Sequence, residues 1–145
     1  MLVSVLRGAF VFVADLSRAI ALPCAIEFVA LAGYGGSLGG RSAVRLIKDL
    51  DAPIGGRDVL IVEDVVDTGL TLNYLIRTLE LRGPRDIGVV TLLDRPYRRL
   101  VDDLPIRYVG FTVPDEFFVG YGFDLDQRYR GLRDIHVVDL PDEAA

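Results

Sequence analysis

The sequence predicts an α/β protein whose mainly parallel, twisted sheet is flanked by helices. Strand-like apolar runs alternate with segments of helical periodicity through the first half of the chain, the order typical of parallel sheets with helices on their faces. Residues 59–62 are all apolar, as expected of a strand that is buried on both faces. A chain of 145 residues is long enough for one domain with a sizeable core.

The predicted elements follow one another closely. Leu2–Leu6 is the first strand, and a tight turn over residues 7–9 leads into a helix that ends near Ala21. Pro23 precedes a second strand over residues 24–31. Alternating polarity in Ala43–Lys48 predicts a half-exposed strand. The later predicted strands cover residues 59–62, 87–93, 106–113 and 135–140.

The acidic segment, residues 59–71, is the most informative part of the sequence. Its apolar strand is followed by two adjacent acids, Glu63 and Asp64, and then by a turn over residues 67–71. Apolar residues then recur at helical spacing until a Gly-Pro pair ends the helix. A turn that feeds a helix N-terminus can hold a phosphate through backbone N–H groups and the helix dipole. The acids beside it can bind ribose hydroxyls or the Mg²⁺ that accompanies phosphates.

Composition excludes several classes of protein. Hydrophobic residues make up 51% of the chain, which excludes disorder. The formal net charge of -5 argues against a surface that coats nucleic acid, although one local site can still hold a small anion. Cys24 is the only cysteine; it cannot form an internal disulfide, and we expect a buried structural thiol.

We expect a cytoplasmic protein without a membrane or nucleic-acid partner. Charged residues interrupt the hydrophobic N-terminal region before any run reaches the length needed to cross a bilayer. The first six residues lack the basic start and the small-residue cleavage site of a signal peptide.

A glycine-rich loop over residues 33–40 has two functional interpretations. Residues 35–42 nearly fit the nucleotide-binding P-loop, but Arg41 replaces the required lysine and the residues that follow alternate like a strand. A lid that closes over a ligand, with Tyr34 as its aromatic residue, is the favoured interpretation. An ordinary flexible loop is the alternative.

The acidic segment resembles the 5-phosphoribosyl-1-pyrophosphate (PRPP) motif of type I phosphoribosyltransferases. Its form, Glu-Asp-Val-Val-Asp-Thr-Gly-Leu-Thr, is similar to that of hypoxanthine-guanine phosphoribosyltransferases, and the resemblance extends over nearly all 145 residues. It implies the type I phosphoribosyltransferase fold: a single domain over residues 1–145 whose C-terminal part contributes to a small purine-covering hood. In that family a non-proline cis peptide precedes the basic residue of the pyrophosphate loop, which places it between Leu6 and Arg7.

The resemblance implies roles for individual residues. Asp67 would be the catalytic base, and Tyr34 would belong to the lid. PRPP and its phosphate would be bound by Glu63, Asp64, Thr68, Gly69, Leu70 and Thr71. Pyrophosphate would be bound by Arg7, Gly8, Arg99 and Arg130. The purine would be bound by Arg95, Phe117, Phe118 and Asp124, with Phe117 stacked on the ring and backbone groups near Phe118 and Asp124 reading its edge. The metal would be held by Glu63, Asp64 and Asp124.

The implied reaction is the Mg²⁺-dependent transfer of phosphoribosyl from PRPP to hypoxanthine or guanine, in purine salvage, by a homo-oligomer. The sequence departs from the family pattern in three places. Gly33 replaces a lid serine, Arg95 replaces the usual lysine, and the helix and strand that relatives place before the segment matching Leu2–Leu6 do not occur in the sequence. Three alternatives stay open: xanthine salvage, the less favoured adenine salvage, and a PRPP-sensing regulator of the same fold that binds RNA or a protein.

Overall fold

Two helices and a six-stranded sheet form the body of the protein. The computed structural model describes residues 1–34 and 43–139. The elements are β1 (Leu2–Leu6), α1 (Phe10–Ala19), β2 (Ile26–Tyr34), β3 (Ala43–Lys48), β4 (Asp58–Val66), α2 (Leu70–Glu80), β5 (Asp86–Asp94), a 3-10 helix (Pro96–Arg98), β6 (Ile106–Thr112), β7 (Phe117–Val119) and β8 (His136–Val138).

The sheet is mainly parallel, as the sequence predicts. Its strand order is β3-β2-β1-β4-β5-β6. The five strands from β2 to β6 in that order run parallel, and only β3 is antiparallel, paired with β2. The carboxyl ends of the parallel strands therefore meet at one edge of the sheet, where α/β proteins place their ligand sites.

Each face of the sheet is covered by one helix. Val3 and Ile61 belong to the hydrophobic cluster that includes Leu75 of α2. Their neighbours along the strands point the other way: Val62 belongs to the cluster that contains Val13 of α1. Because successive strand residues face opposite sides, a strand between two helices must be apolar at every position. This explains the continuous apolar run of β4.

Several predicted boundaries need correction. β2 covers Ile26–Tyr34 rather than residues 24–31, and β8 covers His136–Val138 rather than residues 135–140. Cys24 lies before β2 and is exposed rather than buried. The segment before β2 is exposed from Ala21 onward, so it offers Cys24 no core to enter. β4 does not end before the acids; it pairs with β5 as far as Val66, so Glu63 and Asp64 lie within the strand. By contrast, β1 and β3 have the predicted bounds.

A small second sheet lies beyond β6. It consists of β7 and β8, which pair in antiparallel register from Phe117 with Val138 to Val119 with His136. Phe118 and Phe123 from this region form the third core cluster, together with Leu92 and Leu93 of β5. The Tyr121 hydroxyl also donates a hydrogen bond to a carboxylate oxygen of Asp15 in α1. The small sheet is thus attached to both the main sheet and α1.

The turn after β1 passes through a narrow gap. The peptide bond between Leu6 and Arg7 is cis, as the family resemblance implied. A Cβ atom added at Gly8 would overlap the Asp64 carboxylate, and one added at Gly122 would overlap the Gly8 carbonyl oxygen. Gly122 also has a φ of +101°, which favours glycine. These two glycines let β4, the first turn and the region after β7 approach one another.

In the described part of the chain, neither helix is long and apolar enough to cross a membrane.

Gly122→Ala is expected to destabilise the protein by roughly 1–3 kcal/mol, because the new Cβ meets a backbone oxygen in a conformation that disfavours side chains. Gly131→Ala is the matched control, since a Cβ there meets nothing within 4 Å. Denaturant unfolding of both variants measures the difference. Equal stability of the two variants would show that the turn after β1 can move away.

Candidate active site

The end of β4 and the start of α2 enclose a pocket. Its volume is about 280 Å³, and Glu63, Asp64 and the turn residues Thr68, Gly69 and Thr71 line it. The acids and the turn, which are close in sequence, therefore also line the same concave site. The pocket opens at the carboxyl edge of the parallel strands, where the backbone leaves β4 for the helix.

The first turn of α2 presents free backbone donors to this pocket. Gly69 is the N-cap residue, with a left-handed φ of 83°, and has no side chain with which to cap the helix. The Leu70 amide makes one long hydrogen bond of 3.4 Å to the Thr68 hydroxyl. An uncapped helix N-terminus of this kind favours an anion, because its amide groups and dipole are directed outward.

Glu63 and Asp64 are acids in an environment that disfavours their charge. Burial raises the pKa of Glu63 well above its ordinary value of 4.5, and the neighbouring Asp64 charge adds to the rise. Burial also raises the pKa of Asp64, although a hydrogen bond from the Val65 amide (2.8 Å) and the positive charge of Arg130 oppose it. Both carboxylates would be stabilised by a ligand that brings hydroxyl donors or a cation.

The three acids expected to hold a metal do not form a site by themselves. Among the described residues, no group of three or more His, Cys, Asp or Glu side chains is placed to bind a metal ion. Glu63 and Asp64 line one pocket, but Asp124 is not among the residues that line it. Asp124 is occupied by Arg130, at 3.0 Å. A chelating trio of Glu63, Asp64 and Asp124 is therefore not assembled in the protein alone.

Asp67 lies among arginines at the entrance to the site. Its Oδ1 is 3.3 Å from Arg98 Nε, and its Oδ2 is 3.9 Å from Arg95 Nη1. The approach of Arg98 lacks hydrogen-bond geometry, and Asp67 Oδ1 is buried without a hydrogen-bond partner among the described residues. Asp67 thus keeps a buried acceptor available.

Arg95 is held in place and also keeps a donor available. Its guanidinium lies over the Phe118 ring, 5.3 Å from the ring centroid, and Nη2 donates a hydrogen bond to the Glu116 carbonyl. Its Nε is buried and makes no hydrogen bond within the described chain. Buried polar atoms are normally satisfied, so an unpaired donor and an unpaired acceptor in one cluster indicate a position for a ligand.

Arg98 and Arg99 take different positions from those a linear sequence suggests. The 3-10 helix Pro96–Arg98 begins just after Arg95, and residues three apart in such a helix share a side. Arg98 therefore joins Arg95 beside Asp67. Arg99 instead forms an ion pair with Asp94 and donates to the Asp67 carbonyl at 3.1 Å.

Arg7 and Arg130 converge from opposite ends of the chain. Arg7 Nη1 and Arg130 Nη2 each donate a hydrogen bond of 2.9 Å to the Gln127 side-chain oxygen. Arg130 Nη1 also donates to the Gly122 carbonyl at 2.7 Å. The two arginines expected to face pyrophosphate are therefore brought together, whereas Arg99 is committed to Asp94.

The remaining expected residues are placed as follows. Phe117 is half-buried in β7, and Phe118, on the opposite face of that strand, is buried in the third core cluster. Tyr34 ends β2, with its backbone paired to Ala43. The rest of the expected lid lies outside the described residues. β3 begins at Ala43, so the helix that a P-loop requires does not follow the glycine segment.

Sequence reasoning missed Asp94, Arg98 and Gln127. Asp94 was weakly indicated by the sequence, because this acid ends the apolar strand β5, which pairs with the acidic strand β4. Arg98 adjoins the selected Arg99, and nothing in the linear order separates them. Gln127 is uncharged and lies in a turn, so its importance depends on contacts with residues distant in sequence.

Comparison with known proteins agrees with this geometry. Residues 1–126 match the phosphoribosyl transferase domain family. The hypoxanthine-guanine phosphoribosyltransferase of Mycobacterium avium is 53% identical over 139 residues, covering 96% of this chain and 68% of that protein. The hypoxanthine phosphoribosyltransferase of Salmonella typhimurium is 48% identical over 143 residues, covering 99% and 80%.

Solved structures show the same relationship. A hypoxanthine-guanine phosphoribosyltransferase of Bacillus anthracis superposes with a TM-score of 0.89 at 44% identity, covering 95% of this chain and 81% of that chain. A hypoxanthine phosphoribosyltransferase of Trypanosoma cruzi gives a TM-score of 0.89 at 44% identity, covering 95% and 72%.

The fold and the site define a type I phosphoribosyltransferase, an α/β transferase with an uncapped helix N-terminus beside paired acids. Within that class, the chain belongs to the hypoxanthine-guanine phosphoribosyltransferase family.

Glu63→Gln is expected to stabilise the ligand-free protein at neutral pH. The folded-state pKa of Glu63 is raised, so its contribution to stability is most favourable below the unfolded pKa and declines as the pH rises to the folded pKa. The variant's advantage in free energy of unfolding should therefore be small in acid and grow toward neutral pH. Denaturant unfolding across this range measures it.

Glu80→Gln, at an exposed position in α2, is the control and should behave as the wild type at each pH. A Glu63→Gln variant that gains nothing at neutral pH would show that another group already compensates the buried carboxylate.

Proposed function

We propose that this protein transfers the phosphoribosyl group of PRPP to hypoxanthine or guanine, giving IMP or GMP and pyrophosphate, and so serves purine salvage. The family relationship supports the reaction class. The observation that carries the choice of base is the pair of unsatisfied buried atoms, Arg95 Nε and Asp67 Oδ1. A 6-oxopurine offers a carbonyl acceptor at position 6 beside N7, which bears a proton to be lost, and this edge is complementary to the pair.

The PRPP subsites follow from the pocket. Residues Thr68 to Thr71, at the uncapped start of α2, bind the 5'-phosphate through backbone N–H groups. Glu63 and Asp64 accept hydrogen bonds from the ribose hydroxyls at the pocket wall. Binding of hydroxyl donors offsets part of the cost of burying these two acids.

The pyrophosphate subsite lies at the turn after β1. Gly8 gives the backbone room beside Asp64, and Arg7 and Arg130 supply positive charge. Arg99 has an indirect role, because its guanidinium forms an ion pair with Asp94. We assign it to the support of the Asp67 loop and, through that loop, of the leaving group.

Mg²⁺ fits this site as an ion shared with the substrate. Magnesium is usually held by one or two carboxylates together with substrate oxygens and water, not by a cage of protein ligands. Asp64 and Glu63, whose raised pKa values favour a nearby cation, are the residues that would hold it. When bound, the ion neutralises charge on the pyrophosphate.

The purine subsite combines a donor, a base and an aromatic ring. Arg95 donates a hydrogen bond to the 6-oxo group. Asp67 accepts the proton from N7 as the purine attacks the sugar. Phe117 stacks on the ring, and backbone groups near Phe118 and Asp124 contact its edge. Two of these assignments rest on positions in β7, which is attached to β5 by the third core cluster.

The reaction requires negative charge from the protein beside the sugar ring and positive charge beside the leaving group. Loss of pyrophosphate leaves positive charge on the sugar ring, which Glu63 and Asp64 stabilise, while the arginines stabilise the departing group. Water must be excluded from the ring at that moment. Tyr34 and the glycine-rich segment that follows it are assigned this lid function.

The wider setting completes the proposal. Residues 1–145 form one phosphoribosyltransferase domain whose C-terminal part supplies the hood, and the protein acts in the cytoplasm. It assembles with copies of itself. Support comes from edge strand β6, where Tyr108 and Phe111 are 61% and 62% exposed on opposite faces of the strand, since large exposed apolar side chains at a sheet edge are typical of interaction surfaces.

The site disfavours two of the alternatives. Adenine carries an amino donor at position 6, which would face the Arg95 donor. Xanthine has the same 6-oxo group beside N7 as hypoxanthine and guanine, so it stays an alternative substrate. For an RNA-binding regulator a basic surface is needed. Surface arginines are instead paired with acids, as in Arg82 with Asp49 and Arg107 with Asp86.

Asp67→Asn is expected to lower kcat by about 10²–10⁴-fold while leaving PRPP affinity nearly unchanged, because the amide keeps the shape but cannot accept the proton. Steady-state assays with hypoxanthine and guanine measure kcat, and direct titration measures PRPP binding. Asp115→Asn is the matched control: Asp115 contacts the same Arg98 and Arg95 from the outside and should leave kcat within a few-fold, at roughly the level of a surface substitution. An unchanged kcat in Asp67→Asn would exclude the base role.

Arg95→Ala is expected to lower kcat/KM for hypoxanthine and guanine and to spare the PRPP dissociation constant. Loss of a donor to a buried carbonyl costs about 1–3 kcal/mol, or about 5–150-fold. Arg95→Lys restores a donor and should recover most of the loss, and Phe117→Ala should weaken the bases without affecting PRPP. If Arg95→Ala weakens PRPP as strongly as the bases, Arg95 belongs to the phosphate site.

A further inference from the structure

The turn that carries Gln127 has an unusual residue at its centre. Leu125 and Arg128 exchange two backbone hydrogen bonds, of 3.2 and 3.0 Å, around Asp126 and Gln127. Both central residues have positive φ, 50° and 62°, which defines a type I′ turn. The second central position of such a turn strongly favours glycine or asparagine. Gln127 therefore has a backbone conformation that residues with side chains disfavour, which indicates a role for its side chain.

The Gln127 side chain joins two arginines from distant parts of the chain. Its single amide oxygen accepts hydrogen bonds from Arg7 Nη1 and Arg130 Nη2, both at 2.9 Å, and so uses both of its lone pairs. Its backbone amide donates to Asp124 Oδ2 at 2.8 Å. The turn is therefore anchored on one side by Asp124 and presents an acceptor on the other.

The neutrality of this acceptor preserves charge. Arg7 and Arg130 carry two positive charges, and Asp124, 3.0 Å from Arg130, offsets one of them. Asp64 is also close enough for its charge to interact with that of Arg130, and Gln127 adds no further negative charge to the group. A carboxylate in its place would bind the same two guanidinium groups and add a negative charge, which would weaken the attraction for an anion.

Arg7 depends on this contact for its position. It is exposed, and a free arginine side chain at the surface loses about 2 kcal/mol of rotamer entropy when it is immobilised. A hydrogen bond to Gln127 orders it before a ligand arrives, and preorganised groups bind more tightly than groups that the ligand must order.

We propose that Gln127 is a positioning residue that holds Arg7 and Arg130 together, with their charge intact, to receive the pyrophosphate group of PRPP and to stabilise it as it leaves. The inference rests on the proposed function and adds to it a residue that does not itself touch the substrate. It also predicts a selective effect: ligands that contain pyrophosphate depend on Gln127, whereas the nucleoside 5'-monophosphate product does not.

Three variants test this role. Gln127→Ala removes the acceptor, Gln127→Glu keeps it and adds a negative charge, and Tyr129→Ala is the control. Tyr129 is a neutral, exposed residue of the same region with a φ of 72°, so its replacement imposes a comparable backbone change without touching either arginine. Calorimetry measures the dissociation constants of inorganic pyrophosphate with Mg²⁺ and of IMP, and steady-state assays measure the KM for PRPP.

Gln127→Ala and Gln127→Glu are each expected to weaken pyrophosphate by about tenfold and to raise the KM for PRPP similarly, the scale of one hydrogen bond to a charged group. IMP affinity should stay within twofold of wild type, roughly the error of such a comparison. Tyr129→Ala should bind all three ligands as the wild type does.

Several outcomes would overturn the inference. Equal weakening of IMP and pyrophosphate would reduce Gln127 to a structural part of the turn, and unchanged pyrophosphate affinity in both variants would remove its role. Wild-type affinity in Gln127→Glu alone would refute the argument from charge. If the wild type catalyses transfer while the variants match it, only this inference fails; if the wild type neither binds pyrophosphate nor catalyses transfer, the proposed function fails with it.

Discussion

The position of β4 in the middle of a parallel sheet is the constraint on which the rest of the site depends. β4 is paired with β1 on one side as far as Val62 and with β5 on the other as far as Val66. Its apolar residues hold it between the two helices, and the same pairing carries Glu63 and Asp64 into the sheet. Because the strand continues beyond its apolar run, Glu63 is buried and Asp64 is half-buried, and this loss of solvent raises the pKa of both.

The burial of these acids shapes everything arranged around them. An acid without a partner is costly in the ligand-free protein. A ligand that carries hydroxyl groups and a cation would stabilise these acids. The unfavourable free energy of the ligand-free site would therefore favour such ligands over others. Gly8 lets the turn after β1 approach Asp64, and Gly122 lets the small sheet close on that turn. The site thus brings its acids and its arginines together from separate elements.

The arginines divide into two groups with different surroundings. Arg95 and Arg98 lie beside Asp67 at the proposed purine subsite, and Arg7 and Arg130 share Gln127 at the proposed pyrophosphate subsite. Asp67 and Asp115 offset the charge of the first group, whereas Asp124 offsets part of the charge of the second. Two of the three buried side-chain atoms that lack a hydrogen-bond partner in the described chain, Arg95 Nε and Asp67 Oδ1, belong to the first group; the third is Ser4 Oγ in β1.

The sequence by itself determined the fold class, most of the strands and the turn that leads from β4 into α2, because these depend on local periodicity and on a turn before a helix. Resemblance to a family supplied the cis bond at Leu6, which no pattern of polarity could indicate. The sequence could not show three further features. These are the 3-10 helix that separates Arg98 from Arg99, the ion pair of Arg99 with Asp94, and the hydrogen bonds that Gln127 accepts from distant arginines.

Tertiary structure also decided where the acids lie. The apolar run of β4 stops at Val62, and on polarity alone the strand should stop there too. It continues because β5 offers paired backbone groups as far as Asp94, and backbone hydrogen bonding does not depend on the polarity of the side chain. Pairing with a neighbouring strand is a property of the assembled sheet, and so only the folded structure could show that Glu63 is buried.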